Sequence, residues 1–328
     1  MAAPYPQTAS AEGKAPHVPV EPAIAALLEQ INALPALSIR STDPEVLREA
    51  ERELGASMVP AEPIEVGSVR DTTVPGPAGD VPVRIYRPAK QGPVPTVVFY
   101  HGGGWINGDL DSHDLVTRRL CRDIEAVLVA VHYRRAPEHP FPAPYEDCLA
   151  VTRHVADRIS EFGGRADRLA VAGDSAGANL AAVIAQTFHA EGRPLAAQLL
   201  AYPVVQFDAD TPSRAENATG YILTAEAISD IQDLYAGTDP AVRRSPKVSP
   251  LLAESFHGLA PAVIGTAQYD PLRDEGQAYA SALQDAGVDV FVRNYDGLIH
   301  AFVNLFPISS ASEAAVSELI TQFKQRLG

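Results

Sequence analysis

The stretch "RLAVAGDSAGANLAAVIAQTFHA", residues 168–190, joins an apolar run to a helix-like segment through the pattern Gly-x-Ser-x-Gly. Its first part is continuously apolar, as in a strand that is buried on both faces of a parallel sheet. A serine between such a strand and a helix occupies a strained turn, and glycines on both sides avoid collisions with neighbouring backbone. The stretch therefore predicts that Ser175 presents its hydroxyl above a sheet, flanked by Gly173 and Gly177, at the positive end of a helix.

The same alternation of strand and helix patterns extends along most of the chain. Continuous apolar runs occur at residues 96–101, 126–133, 196–203 and 261–270, and helix-like segments separate several of them. Repetition of buried strands and helices predicts an α/β fold, with a mostly parallel central sheet flanked by helices on both faces. Before these runs, residues 64–88 alternate between apolar and polar side chains around Pro-Gly turns, which predicts antiparallel strands.

Two segments depart from this rhythm and define the expected domain organisation. Residues 1–60 comprise a proline- and alanine-rich arm followed by two amphipathic helix patterns, and residues 207–250 form a polar insertion with one short helix pattern. A long insertion between strands of a compact domain usually serves function. We expect both segments to form a helical cap over the strand ends, while residues 61–206 and 251–328 form the two parts of the core.

Composition limits the partners and the compartment. The 328-residue chain carries a formal net charge of −15, which disfavours nucleic acids and anionic membranes and favours small molecules. It shows no apolar run long enough to span a membrane and no secretory signal pattern, so a cytoplasmic protein without stable membrane association is expected. Cys121 and Cys148 are expected to be buried free thiols, and the glycosylation pattern at Asn217 is attributed to chance.

A nucleophilic serine needs a base, and three histidines follow Ser175 in the sequence. His189 lies near the far end of the predicted helix, and His257 precedes a predicted strand, which places it at the opposite end of the sheet. His300 follows the last predicted strand and precedes the last helix. In a sheet of this kind the acid and then the histidine follow the serine, so His300 is the predicted base.

The acid that orients this base must follow an earlier strand. Asp270 ends an apolar run and begins a proline-containing turn, so it is the preferred candidate. Asp296 is the alternative, although it shares a loop with the histidine. Asp274 and Glu275 are better explained as acids at a helix N-terminus, where the helix dipole favours them.

The sequence "HGGGW", residues 101–105, directly follows the predicted strand at 96–101. Attack of a serine on an ester creates a negative oxygen, which requires preorganised N–H donors. Gly103, Gly104 and Ala176 are predicted to supply these backbone N–H groups. We expect the substrate pocket to be lined by four further residues: Trp105, Tyr202, Leu298 and Ile299.

Five motifs occur along the chain, in this order: "HGGGW", "YRRAPEHPFPAPYED", "GDSAG", "DPLRDE" and "GLIHAF". On these motifs, the chain resembles the hormone-sensitive lipase-like family of bacterial carboxylesterases, within the α/β-hydrolase superfamily. The resemblance covers residues from about 60 to the end. It implies a triad of Ser175, Asp270 and His300 and hydrolysis of short- to medium-chain esters through an acyl-enzyme. It also implies that no cofactor or metal takes part, and that the protein forms a homodimer, as many members do.

The chain departs from the family pattern in two places and leaves other activities open. Ala301 stands where the family usually has glycine, and Gln268 where it often has glutamate. Arg134 and Glu138, within the family's signature beside the site, are each expected to have at most a supporting role as ion-pair partners. An amidase or deacetylase could use the same triad, and a lipase would need a longer apolar entrance. A non-catalytic ligand-binding protein of the same fold is the fourth interpretation.

Overall fold

Within the described residues, 18–35, 37–58 and 62–328 of a computed structural model, eight strands form one sheet. They lie in the order β1-β2-β4-β3-β5-β6-β7-β8, where β2 pairs antiparallel with both β1 and β4 and all other neighbouring strands pair in parallel. This confirms the predicted, mostly parallel sheet with an antiparallel start. The strands are β1 (Ser68–Gly76), β2 (Gly79–Arg87), β3 (Val94–Tyr100), β4 (Val127–Val131), β5 (Gly164–Asp174), β6 (Gln198–Ala201), β7 (Ala262–Tyr269) and β8 (Val290–Ile299).

Helices cover both faces of this sheet. Along β3 and β4, Val98 and Val129 belong to one buried apolar cluster, while Val97 and Leu128 belong to the other, because successive side chains point to opposite faces. The helices are α1 (Pro22–Asn32), α2 (Pro44–Met58), α3 (Asp114–Ile124), α4 (Ala143–Asp157), α5 (Ala176–Ala190), α6 (Pro212–Glu216), α7 (Ala225–Ala236), α8 (Pro240–Arg243), α9 (Arg273–Asp285) and α10 (Ser310–Leu327). Helices α4, α5 and α9 contribute to the first cluster, and α1, α3 and α10 to the second.

Parallel pairing brings the carboxyl ends of the central strands to one edge of the sheet. Tyr100 at the end of β3 pairs with Gly173, and Asp174 at the end of β5 pairs with Ala201 in β6. The loops that follow β3, β5, β7 and β8 therefore leave the sheet at the same edge, which is where open α/β sheets bind ligands.

The N-terminal helices and the insertion at residues 207–250 contact each other. Arg40, between α1 and α2, forms ion pairs with Asp230 and Asp233 of α7. The side-chain amide of Asn32 donates to the carbonyl of Gly220 at 3.4 Å. These contacts join two segments that are far apart in sequence. Most of the predicted proline-rich arm lies outside the described residues.

Several expectations from composition can be compared with the structure. Cys121 and Cys148 are free and buried, as predicted. Asn217 is 3% exposed, and its amide donates to the carbonyls of Gln268 and Asp270, so the glycosylation pattern lies at an inaccessible position. Among the described helices, none has the length and apolar character needed to cross a bilayer.

Candidate active site

Ser175 lies on a strained turn between β5 and α5. Its φ of 53° is positive, which is unfavourable for a residue with a side chain. A Cβ on Gly177 would lie 2.0 Å from the carbonyl oxygen of Tyr100, and one on Gly173 would lie 2.4 Å from the carbonyl carbon of Gly177. Both positions flanking the serine therefore require glycine, for the steric reason that the sequence analysis gave.

The three predicted triad side chains form one hydrogen-bonded chain. The Ser175 Oγ lies 2.9 Å from His300 Nε2, and His300 Nδ1 lies 2.8 Å from Asp270 Oδ2. The other carboxylate oxygen, Asp270 Oδ1, accepts a 2.8 Å bond from the N–H of Leu272, which fixes the carboxylate. With Nδ1–H donating to Asp270, the Nε2 atom is left to accept the hydroxyl proton of Ser175.

The competing candidates lie elsewhere. His189 and His257 are exposed, and Asp296 is exposed with only a 3.4 Å bond from the Asn294 amide. Asp274 and Glu275 begin α9, as the dipole argument predicts.

The two acids in the first turn of α9 have a further role that the sequence did not reveal. The Asp274 carboxylate accepts a 2.8 Å bond from the N–H of Ser213, and the Glu275 carboxylate accepts a 2.9 Å bond from the N–H of Val205. Glu275 is fully buried, and it pairs with Arg214 at 2.7 Å. These acids therefore attach the start of the insertion to the helix that follows Asp270.

The glycine run after β3 forms a tight loop beside Ser175. Gly103 and Gly104 have φ values of 103° and 61°, and both line the same cavity as Ser175 and His300. Within the described part of the chain, the N–H groups of Gly103, Gly104 and Ala176 donate to no other group. Ala176 is the first residue of α5 and directly follows the serine. The three N–H groups are therefore free to bind an oxygen atom.

A buried charged pair that sequence reasoning missed lies behind this loop. Asp174 Oδ1 accepts a 2.9 Å bond from the N–H of Gly102 and lies 3.3 Å from His113 Nε2. Burial raises the pKa of Asp174, but the proximity of His113 lowers it more, and the net shift is downward. Burial likewise lowers the pKa of His113, but Asp174 and Glu51 raise it more, and the net shift is upward. The pair holds the first glycine of the loop against the serine turn.

The site opens into a cavity of about 420 Å³ beneath the N-terminal helices and the insertion. Apolar side chains dominate its walls, with Leu54 and Met58 on one side and Ile228 and Ile231 on the other. The segments that cover the site are predicted from the sequence, but none of these cap residues is predicted to line the pocket. Apolar periodicity gives the inner face of a helix, although it does not show what that face packs against.

Among the four predicted pocket residues, only Trp105 lines this cavity, and its ring also stacks on Tyr235 with centroids 4.1 Å apart. The prediction for Tyr202, Leu298 and Ile299 is wrong. All three are buried in the core, because they lie at or just after the ends of β6 and β8 and pack inside the sheet. Tyr202 lies behind the site, with its ring 4.6 Å from the ring of His300.

Arg134 and Glu138 each form an ion pair, with different partners. Arg134 pairs with Asp147, with two guanidinium bonds of 2.9 and 2.8 Å, whereas Glu138 pairs with Arg48 of α2. The partners differ because Arg134 lies against α4, whose Asp147 is buried, while Glu138 faces the N-terminal helix.

The two departures from the family pattern differ in their local effects. Ala301 has a φ of 68°, a conformation in which glycine is more stable than alanine. The Gln268 side chain accepts a 2.7 Å bond from the N–H of Gly297 and donates to the carbonyl of Val18 at 3.3 Å. An amide can both accept and donate, which an ionised glutamate cannot do.

The described residues contain no group of three or more His, Cys, Asp or Glu side chains placed to hold a metal ion. The independence from metals and cofactors that the resemblance implies stays a prediction.

Comparison with known proteins places the chain among hydrolases. The family described as "alpha/beta hydrolase fold" matches residues 97–304. The carboxylic ester hydrolase LipN of Mycobacterium tuberculosis is 46% identical over 268 residues, which is 79% of this chain and 70% of LipN. Esterase LipI of the same organism is 40% identical over 296 residues, covering 89% of this chain and 91% of LipI.

Solved structures give the same result. The hyperthermophilic esterase from the archaeon Pyrobaculum calidifontis aligns with a TM-score of 0.89 at 38% identity, covering 94% of this chain and 98% of the esterase. Together with the fold, these similarities show that the chain belongs to the hormone-sensitive lipase-like family of the α/β-hydrolase superfamily.

Proposed function

We propose that this protein hydrolyses short- to medium-chain carboxylic esters through an acyl-enzyme on Ser175. The observation that carries the proposal is the hydrogen-bonded chain from Ser175 through His300 to Asp270, which ends in a cavity bordered by unpaired glycine N–H groups. The names of the related esterases support the same reaction.

In the first half of the reaction, Ser175 Oγ attacks the ester carbonyl while His300 Nε2 takes the hydroxyl proton. The carbonyl oxygen becomes an oxyanion and accepts hydrogen bonds from the N–H groups of Gly103, Gly104 and Ala176. The carbon–oxygen bond to the alcohol then breaks, and the histidine gives its proton to the leaving alkoxide.

In the second half, His300 takes a proton from water as that water attacks the acyl-enzyme. A second oxyanion collapses, the bond to Ser175 Oγ breaks, and the proton returns from the histidine to the serine. Asp270 keeps the imidazole in one tautomer and stabilises its charged form throughout.

The cavity supports small-molecule substrates. Its volume of about 420 Å³ is within the range of small-ligand sites, and its walls are mainly apolar. Ile231 lies over Gly104. A Cβ added at that glycine would be 2.8 Å from Ile231 Cδ1. The oxyanion loop is the loop at residues 102–105, which follows β3 and contains Gly103 and Gly104. A wall so close to this loop favours compact ester groups over long lipid chains.

The test compares Ser175→Ala with the wild-type protein on 4-nitrophenyl esters of increasing acyl length and on the matching anilides. We expect ester hydrolysis to fall at least about 10³-fold in the folded variant. We expect the wild-type protein to prefer short and medium esters. Retained ester hydrolysis in folded Ser175→Ala would refute the assignment, and equal or faster anilide hydrolysis would favour an amidase. A homodimer and a cytoplasmic location without nucleic-acid binding stay predictions.

A further inference from the structure

Arg48 of α2 is a buried arginine in the N-terminal helical segment. Its side chain is 5% exposed. The Nε donates to the carbonyl of Ile106 at 2.9 Å, and Nη2 donates to the carbonyl of Ala136 at 3.2 Å. The two terminal nitrogens bind the two Glu138 oxygens at 2.8 Å each, and Nη1 also binds Glu45 at 2.6 Å. All five N–H donors of the guanidinium can thus be used, as a buried charge requires.

The two residues whose carbonyls bind Arg48 also donate backbone hydrogen bonds to the oxyanion loop. The N–H of Ile106 donates to the carbonyl of Gly103 at 3.1 Å. The N–H of Ala136 donates to the carbonyl of Trp105 at 2.8 Å. The Gly103–Gly104 peptide, which carries the Gly104 N–H, and the Trp105–Ile106 peptide are therefore held by residues whose own carbonyls Arg48 binds.

The loop needs such support because its backbone is strained. Trp105 has a φ of 58°, in the left-handed region, which costs a residue with a side chain about 1–2 kcal/mol. A strained backbone keeps its conformation only when the surrounding contacts fix it. The direction of the Gly103 and Gly104 N–H groups depends on this conformation.

We propose that Arg48 is a positioning residue, which directs the N–H groups of Gly103 and Gly104 toward the oxyanion from outside the loop. This inference rests on the proposed function. It gives the N-terminal segment a part in the chemical step, in addition to covering the cavity.

The alternative is that Arg48 only stabilises the docking of α2 through its ion pairs. The two acids argue for a limited stabilising effect, because Glu45 and Glu138 have side chains that are 66% and 46% exposed. Because both carboxylates reach solvent, water screens their attraction to the arginine and can replace the arginine at both acids. The carbonyls of Ile106 and Ala136 lose their donor when Arg48 is removed, so the loop should respond more than the helix.

The experiment compares Arg48→Met, Arg48→Lys and Glu138→Gln, with Arg52→Met as the matched control. Arg52 is on the same helix, and its partners among the described residues are carboxylates: Glu49 at 2.7 Å, Asp109 at 3.3 Å and Glu45 at 3.9 Å. Each variant is tested for kcat and KM on 4-nitrophenyl butyrate and for inhibition by an alkyl trifluoromethyl ketone. The ketone forms a hemiketal with the serine, whose oxyanion occupies the same hole as the transition state.

We expect Arg48→Met to lower kcat about 10- to 100-fold, less than the loss of a whole oxyanion donor, with KM within about twofold. The ketone inhibition constant should rise by a similar factor, because both measurements report the oxyanion hole. Arg48→Lys should be intermediate, because one ammonium group does not reproduce the planar fork. Glu138→Gln and Arg52→Met should stay within about threefold of wild type, because both keep the bonds of Arg48 to the carbonyls.

Three results would overturn the inference: an unchanged kcat in folded Arg48→Met, a lower kcat without weaker ketone inhibition, or an equal loss in Arg52→Met. If Arg48→Met does not fold, Arg48→Lys decides by the same criteria. A failure of the proposed function is distinguishable, because the wild-type protein would then not react with the ketone, and folded Ser175→Ala would keep its activity.

Discussion

Replacing Gly103 with alanine should lower kcat about 10²- to 10³-fold in a protein that still folds. The new Cβ would lie 2.5 Å from the carbonyl carbon of Asn107, 2.6 Å from its oxygen and 2.8 Å from the nitrogen of Gly108. All three are backbone atoms, so the loop has to move to make room. That movement turns the Gly103 N–H away from the position of the oxyanion.

The local geometry predicts two separate effects of Gly103→Ala, one on the free energy of unfolding and one on the activation free energy. The first is measured by unfolding and the second by kcat. The φ of 103° is unfavourable for alanine and should lower the free energy of unfolding by about 1–3 kcal/mol. The lost oxyanion donor should raise the activation barrier by about 2.7–4 kcal/mol, which corresponds to the expected loss in kcat. The ground-state ester does not depend on that donor, so KM should change little.

Substitutions at two other glycines distinguish the effect of backbone strain from the effect of displacing the oxyanion loop. Gly192 has a φ of 70°, and a Cβ added there would meet no atom of a more distant residue within 4 Å. Gly192→Ala should therefore destabilise the fold by about 1 kcal/mol without affecting kcat. At Gly104 the three atoms nearest to the new Cβ all belong to the side chain of Ile231, at 2.8, 3.1 and 3.2 Å. Ile231→Ala should therefore restore part of the activity of Gly104→Ala, and none of the activity of Gly103→Ala.

The assay is steady-state hydrolysis of 4-nitrophenyl butyrate, with urea unfolding of each variant measured in parallel. Wild-type kcat in folded Gly103→Ala would refute the assignment of this N–H group. An equal loss of kcat in Gly192→Ala would show that general strain, and not the position of the loop, controls the rate.

Three further predictions test other parts of the site. Asp270→Asn should lower kcat about 10⁴-fold, because the histidine loses the group that fixes its tautomer, while circular dichroism should show an unchanged fold. His113 has a raised pKa beside Asp174, so its contribution to stability should be complete below pH 6.5 and disappear as pH rises through the raised pKa. The difference in unfolding free energy between wild type and His113→Gln should therefore shrink as the pH rises from below 6.5 through the raised pKa, and a constant difference would contradict the pair. Ala301→Gly should keep the activity and raise the free energy of unfolding by up to about 1 kcal/mol, because φ is 68° there; a lower value would refute this explanation.

The site residues that could be predicted from the sequence are those whose positions follow from a local sequence pattern. An apolar run, a Gly-x-Ser-x-Gly turn and a small-residue helix place Ser175 at the edge of the sheet. His300 and Asp270 follow from the same rule, because each comes directly after a predicted parallel strand. These inferences needed only the chain order and the direction of each strand.

The residues that the sequence missed depend on contacts between distant segments. Arg48 and Glu138 are 90 positions apart, and no local pattern links them. The error at Leu298 and Ile299 has a related cause: position at a strand end does not tell whether a side chain faces the cavity or the core. The walls of the cavity come from helices whose placement over the sheet is decided by tertiary packing.

The central claim is that the ester's acyl group is transferred to Ser175, and it can be observed directly. The wild-type protein is mixed with 4-nitrophenyl butyrate, quenched with acid within milliseconds, digested and analysed by mass spectrometry. We predict a burst of nitrophenol and one butyryl group on the peptide that contains Ser175, and neither in Ser175→Ala. Turnover with no butyryl group on this serine, or with the group on another residue, would contradict the account.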